Sequence, residues 1–100
     1  MLSITAVLRA KPGEEAKLLA ALLDVAVHVR ANEPGTLGFH VSHDLEDPTV
    51  LTTYERFANR AAMDAHNGSD AVARFSHVAS AILDGPVKLH SCQEVEAVTP

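Results

Sequence analysis

Few side chains in this sequence can do chemistry, and their spacing limits what each can reach. Thr53, Glu55 and Phe57 alternate within a Thr-, Tyr- and Val-rich run, so a strand there sets a hydroxyl, a carboxylate and an aromatic ring on one face. Glu55 could serve a pocket as acid or base. It could also pair with a basic residue such as Arg74, the plainer use of a buried carboxylate. His66 precedes Asn67-Gly68. An imidazole with a reference pKa of about 6.5 is a proton acceptor near neutrality, and a histidine in that setting can equally close a helix end.

The remaining candidates are weaker. His40 and His43 lie three apart in an alternating run, point to opposite faces and cannot chelate one ion. His90 and Cys92 share a face of the last alternating run, but nothing near them would activate a thiolate. Cys92 therefore reads as a small buried or interface residue. No metal site is expected.

The elements that must position these groups follow from periodicity. Leu2, Ile4, Ala6 and Leu8 alternate with Ser3, Thr5, Val7 and Arg9 as a first strand, ended by Lys11-Pro12-Gly13. From Glu14 to about Ala31, Leu18, Leu22, Val25, Ala26 and Val29 recur at helical spacing, with Glu14 and Glu15 in a first turn that favours anions. Pro34 stops that helix, Gly35 is free to take positive backbone angles, and Thr36 to Leu45 alternates as a second strand. Asp47-Pro48 turns the chain into a third strand, Val50 to Phe57, antiparallel to the second.

A second helical region is broken. Asn59 to His66 makes about two turns before Asn67-Gly68, and Ser69 or Asp70 caps a further helix to Leu83, with Val72, Phe75, Ala79, Ile82 and Leu83 inward. After Asp84-Gly85-Pro86, Val87 to Val95 forms a last strand. The order β-α-β-β-α-β predicts an α+β, ferredoxin-like antiparallel sheet with its helices on one face, a single domain over residues 1–100. Val7, Val50, Leu51 and Tyr54 put apolar groups on both faces of the strands, which predicts a homodimer packed on the uncovered side.

Composition narrows the partners. Hydrophobic residues are 47% and aromatics 4% with no tryptophan, so the core is aliphatic and stacking on nucleobases is disfavoured. Eight scattered Lys and Arg against thirteen Asp and Glu give a net charge of -5, which opposes nucleic-acid binding. No apolar run approaches the ~20 residues of a membrane span. A single cysteine and a start without signal-peptide character predict a cytoplasmic location.

Four segments together resemble the antibiotic biosynthesis monooxygenase family of the dimeric α+β barrel superfamily over nearly the whole chain. They are Val7-Leu8-Arg9-Ala10-Lys11-Pro12-Gly13, Glu33-Pro34-Gly35-Thr36-Leu37-Gly38-Phe39, Asp44-Leu45-Glu46-Asp47-Pro48, and Tyr54-Glu55-Arg56-Phe57 with Ala65-His66 beyond. The resemblance implies a homodimer that adds oxygen from dioxygen to a small aromatic phenol or quinol without a cofactor. His66 would be base or orienting group, in a pocket shaped by Leu51, Thr53, Glu55, Phe57, Met63 and Phe75.

The matched positions are not all alike. Thr53 and Phe57 stand where polyketide-oxidising members have asparagine and tryptophan, Met63 falls near a tyrosine of theirs, and Ala71 takes the place of a second histidine in quinol-oxidising members. A non-catalytic small-ligand-binding or regulatory dimer of the same fold fits these substitutions too. Haem-degrading relatives are a more distant comparison: Ala6, His66 and about Ser76 occupy their key positions, with His77 one residue beyond.

Overall fold

Alternation over Leu2–Arg9 produces β1, whose Ile4, Ala6 and Leu8 are buried and whose Thr5, Val7 and Arg9 are exposed, in a computed structural model that describes residues 1–100. A turn with Gly13 at φ +87° leads into α1 (Glu15–Asn32), which buries Leu18, Leu22, Val25 and Val29 along one stripe. Glu14, expected within the helix, is its cap residue. β2 (Thr36–His43) and β3 (Val50–Phe57) form the expected hairpin, with β2 ending before Asp44. Asp44 instead folds its carboxylate back onto the N–H groups of Glu46 and Asp47. The Asp47 carboxyl is lowered to about 2 by hydrogen bonds from the Thr49 hydroxyl and backbone N–H and from Arg9.

The break in the second helical region separates α2 (Arg60–Asn67) from α3 (Asp70–Ile82). Each has its own cap: the Asn59 side chain accepts from the Ala62 N–H at 2.9 Å and Ser69 accepts from Val72 at 3.2 Å. β4 spans only Lys88–Gln93 and is exposed throughout, shorter than the alternation through Val95 predicts. Glu94 leaves the sheet to clamp Arg56 on the open face, with oxygen–nitrogen distances of 3.0 and 3.1 Å. No helix is long and apolar enough to cross a membrane.

The sheet order is β2-β3-β1-β4, antiparallel throughout, with Ile4 opposite Glu55, Ala6 opposite Thr53 and Leu8 opposite Leu51. This is the ferredoxin-like α+β arrangement. The register puts Leu51, Thr53, Glu55 and Phe57 on the helix-covered face. Two clusters of buried side chains form there, one around Ala6, Leu8, Leu18, Leu22, Leu51 and Ile82, the other around Ile4, Phe57 and Met63. On the opposite face, Val7 and Tyr54 are 43% and 39% exposed, whereas Val50 is already buried within the chain and Leu51 faces the helices. Cys92 is exposed on the same open side as His90, not buried.

Gly35 does not take a positive φ; only Gly13 and Gly85 do. Its role is close approach. A Cβ on Gly35 would lie 2.7 Å from the Ala62 Cβ, so α2 packs directly on the turn that follows α1. The Gly35 carbonyl also accepts from the Ala58 N–H at 2.9 Å, holding the entry to α2 against this turn. Gly35→Ala is expected to lower the unfolding free energy by about 1–3 kcal/mol, since the new methyl overpacks a backbone-level contact. Urea denaturation of the two proteins measures it.

Candidate active site

Three chain segments meet at one imidazole. His66 lies on the inward side of α2, one turn after the buried Met63, and only 3% of its surface is exposed. Its Nδ1 is 2.8 Å from Oε1 of Glu33, the residue immediately after α1, and its Nε2 is 3.1 Å from Oε1 of Glu55 on β3. The Glu33 backbone N–H donates to the Val29 carbonyl at 3.0 Å, which fixes where its side chain starts. Hydroxyls complete the set: Thr36 donates to Glu33 Oε1 and Thr53 to Glu55 Oε2, each at 2.7 Å. The rings of Phe57 and Phe39 lie 5.2 and 5.8 Å from the imidazole and keep water from its faces.

Burial alone would pull the His66 pKa down, but Glu55 and Glu33 outweigh it and hold the value above the ordinary 6.5. Glu33 is hydrogen-bonded at Nδ1 and a Glu55 oxygen lies near Nε2, so the surroundings favour the protonated ring. The Glu33–His66–Glu55 group is held away from bulk water. Neutralising any one member would leave the others poorly compensated.

A cavity of about 220 Å³ opens between the two core clusters, with Glu55, His66, Thr53 and Asn67 at its polar end. Its walls are aliphatic and aromatic, from Ile4 and Leu22 to Phe39, Phe75 and the half-exposed Leu89. Of the residues singled out from sequence, Thr53, Glu55, His66 and Phe75 line this space. Leu51, Phe57 and Met63 do not: Leu51 is sealed in the larger cluster, and Phe57 and Met63 pack together behind the imidazole. Glu55 pairs with His66 rather than with Arg74, whose guanidinium sits 3.3 Å from Asp24 on α1. Ser76 also lines the cavity, while His77 is exposed and takes no part in the lining.

The residue that sequence reasoning missed is Glu33, which looked like part of a helix stop. A signal was available: an anion just past a helix C-terminus opposes the helix dipole, so a glutamate there calls for a cationic partner elsewhere. His28, one turn back on α1, was likewise passed over, yet its Nε2 lies 3.1 Å from Glu33 Oε2.

A family model described as antibiotic biosynthesis monooxygenase matches residues 1–78, and the chain belongs to that family. Among solved structures, it is similar to a proposed antibiotic biosynthesis monooxygenase from Caulobacter crescentus, 25% identical over 95% of this chain and 90% of that one, with a TM-score of 0.88. A protein of the same description from Deinococcus radiodurans is 25% identical over 100% and 98% of the two chains, also with a TM-score of 0.88. Rv0793 from Mycobacterium tuberculosis, 21% identical over 98% of each chain with a TM-score of 0.89, shares the fold. No curated protein matches the chain.

The raised His66 value has a thermodynamic consequence. The folded chain binds this proton more tightly than the unfolded one, so the stabilisation is fully present below about pH 6.5 and is lost as pH rises through the folded value. Unfolding free energies measured in urea should therefore fall as pH is raised from 6.5. In His66→Gln that slope should be absent.

Proposed function

We propose that this protein is a cofactor-independent monooxygenase acting with dioxygen on a small aromatic phenol or quinol. The observation that carries the reading is the buried Glu55–His66 pair at the polar end of an otherwise apolar cavity. A cavity of about 150 Å³ accepts benzene, so 220 Å³ suits a single substituted ring. Such a ring would place its hydroxyl at the only charged end of the space. Phe75 and Leu89 would bound the rest of it.

In this mechanism Glu55 takes the phenolic proton, and the adjacent imidazolium stabilises the resulting phenolate. The electron-rich anion passes one electron to dioxygen, and the radical pair collapses to form a carbon–oxygen bond at a ring carbon bearing hydrogen. The peroxide takes back a proton, its O–O bond breaks, and loss of the ring hydrogen yields a quinone carbonyl and one water. One oxygen atom enters the substrate and the other leaves as water, so the ring is oxidised by two electron pairs and dioxygen is fully reduced. Exclusion of water by the apolar walls keeps the phenolate and peroxide from competing solvent protons.

We further propose that a second copy of the chain covers the open sheet face around Val7 and Tyr54, and that the dimer works in the cytoplasm. Two exposed apolar side chains in the middle of a sheet support that partner. Sedimentation at micromolar concentration should give a dimer, and Tyr54→Asp a monomer.

The chemistry is tested by oxygen uptake with a panel of hydroquinones and naphthols. The parent should consume dioxygen with at least one of them, and Glu55→Gln and His66→Ala should each lose about 100-fold or more in kcat/KM. Binding of these compounds with no uptake by the parent would replace the enzyme with a ligand-binding dimer of the same fold.

A further inference from the structure

The mechanism above uses the Glu55 side of His66 and leaves its other side unexplained. Nδ1 faces Glu33, which lines no part of the cavity, and Glu33 Oε2 turns away from His66 toward His28. The His28 side chain is 26% exposed while Glu33 and His66 are 9% and 4% exposed, so accessibility rises stepwise from the site to the surface. Asn32 Nδ2 can only donate, and it lies 3.3 Å from both Nδ1 and the carbonyl oxygen of His28. That contact leaves Nδ1 as the acceptor in neutral His28 and places the proton on Nε2, the nitrogen facing Glu33. The His28 N–H is not aligned on Glu33 Oε2, which is otherwise buried without a hydrogen-bond partner, so a turn of the partly exposed ring would be needed to complete the contact.

We infer that Glu33 and His28 form a proton path that connects the buried imidazole of His66 to bulk water. The inference deepens the proposed function by supplying a route that stays open when a substrate fills the cavity and closes the Glu55 side. In the recharging direction, His28 takes a proton from water to become an imidazolium and gives its Nε2 proton to Glu33. The carboxyl group turns and the proton passes to the bare Nδ1 of a His66 ring that is transiently neutral with its one proton on Nε2. One proton leaves water and one positive charge appears on His66; Glu33 returns to a carboxylate, and His28, left with its proton on Nδ1, resets by giving that proton to water and taking one at Nε2.

The ionisable groups in contact with His66 are Glu33 from the turn after α1 and Glu55 from β3; Phe39 from β2 and Phe57 from β3 are its aromatic neighbours. Phe39 and Phe57 carry no proton. Glu33 is therefore the one ionisable group hydrogen-bonded to Nδ1.

The test reads the proton itself. In protein carrying ¹⁵N-labelled histidine, the exchange rate of the His66 Nδ1–H with water is measured by NMR at pH 7 in the parent, in His28→Phe and in His28→Gln. The path predicts at least tenfold slower exchange in both variants, with the His66 nitrogen shifts unmoved and the parent rate restored by added imidazole buffer. A merely structural His28 would leave exchange unchanged wherever the His66 shifts are unchanged, and that result in either variant overturns the inference. His28→Gln keeps a polar group at the position, so a failure of the phenylalanine variant to fold leaves the question answerable. No turnover enters the measurement, so a protein that oxidises none of the hydroquinones still decides it.

Discussion

One charged ring held between two carboxylates is the constraint around which this small protein is arranged. Taking His66, Glu33 and Glu55 out of water is expensive, and the arrangement survives because each nitrogen meets an oxygen and each carboxylate has a hydroxyl donor as well. These groups come from the end of α1, from β3 and from the inner side of α2, so a single electrostatic unit ties together three segments up to 33 residues apart in sequence. Any displacement of one segment would strand buried charge on the other two. The burden falls on backbone placement, which is why Gly35 and the cap at Asn59 matter more than their size suggests.

The cavity has a related origin. Hydrophobic packing fills the two ends of the layer between sheet and helices, with Leu18, Leu22, Leu51 and Ile82 at one end and Ile4, Phe57 and Met63 at the other. The polar unit sits between them, where aliphatic side chains cannot close over it without burying polar atoms unpaired. Ala6 at the middle of β1 and Thr53 opposite it are too small to fill the remaining space. A void with a charged end is thus a consequence of placing small residues beside an ionic group in an otherwise aliphatic layer.

Local patterns carried most of the architecture in the amino-acid sequence. The inward side of β1 and β3, the burial stripe of α1 and the break at Asn67-Gly68 with a cap following it are all short-range features with a short-range physical cause. β4 was overestimated because alternation persists through Val95, while Glu94 is drawn away by Arg56, a partner 38 residues distant. The site was legible in part for the same reason: His66 and Glu55 stood out singly, but their contact depends on how α2 docks. Glu33 was hidden behind a more obvious local role. A helix stop explains Pro34 and Gly35 well enough that the glutamate beside them invites no second explanation, and Leu51, Phe57 and Met63 could not be told from lining residues without knowing which side of the void they close.

Part of the cavity wall is contributed by segments that hold none of its charged residues. Glu55 and His66 belong to β3 and α2, with Glu33 behind them at the α1 exit, whereas Val72, Phe75 and Ser76 come from α3 and Leu89 from the exposed edge strand β4. Substitutions on α3 and β4 can therefore reshape what fits while leaving the ionic unit and its supports untouched. A fold divided in this way can drift among ligands of different outline without rebuilding its charged centre, so diversification of molecular preference would be recorded in the last third of the chain.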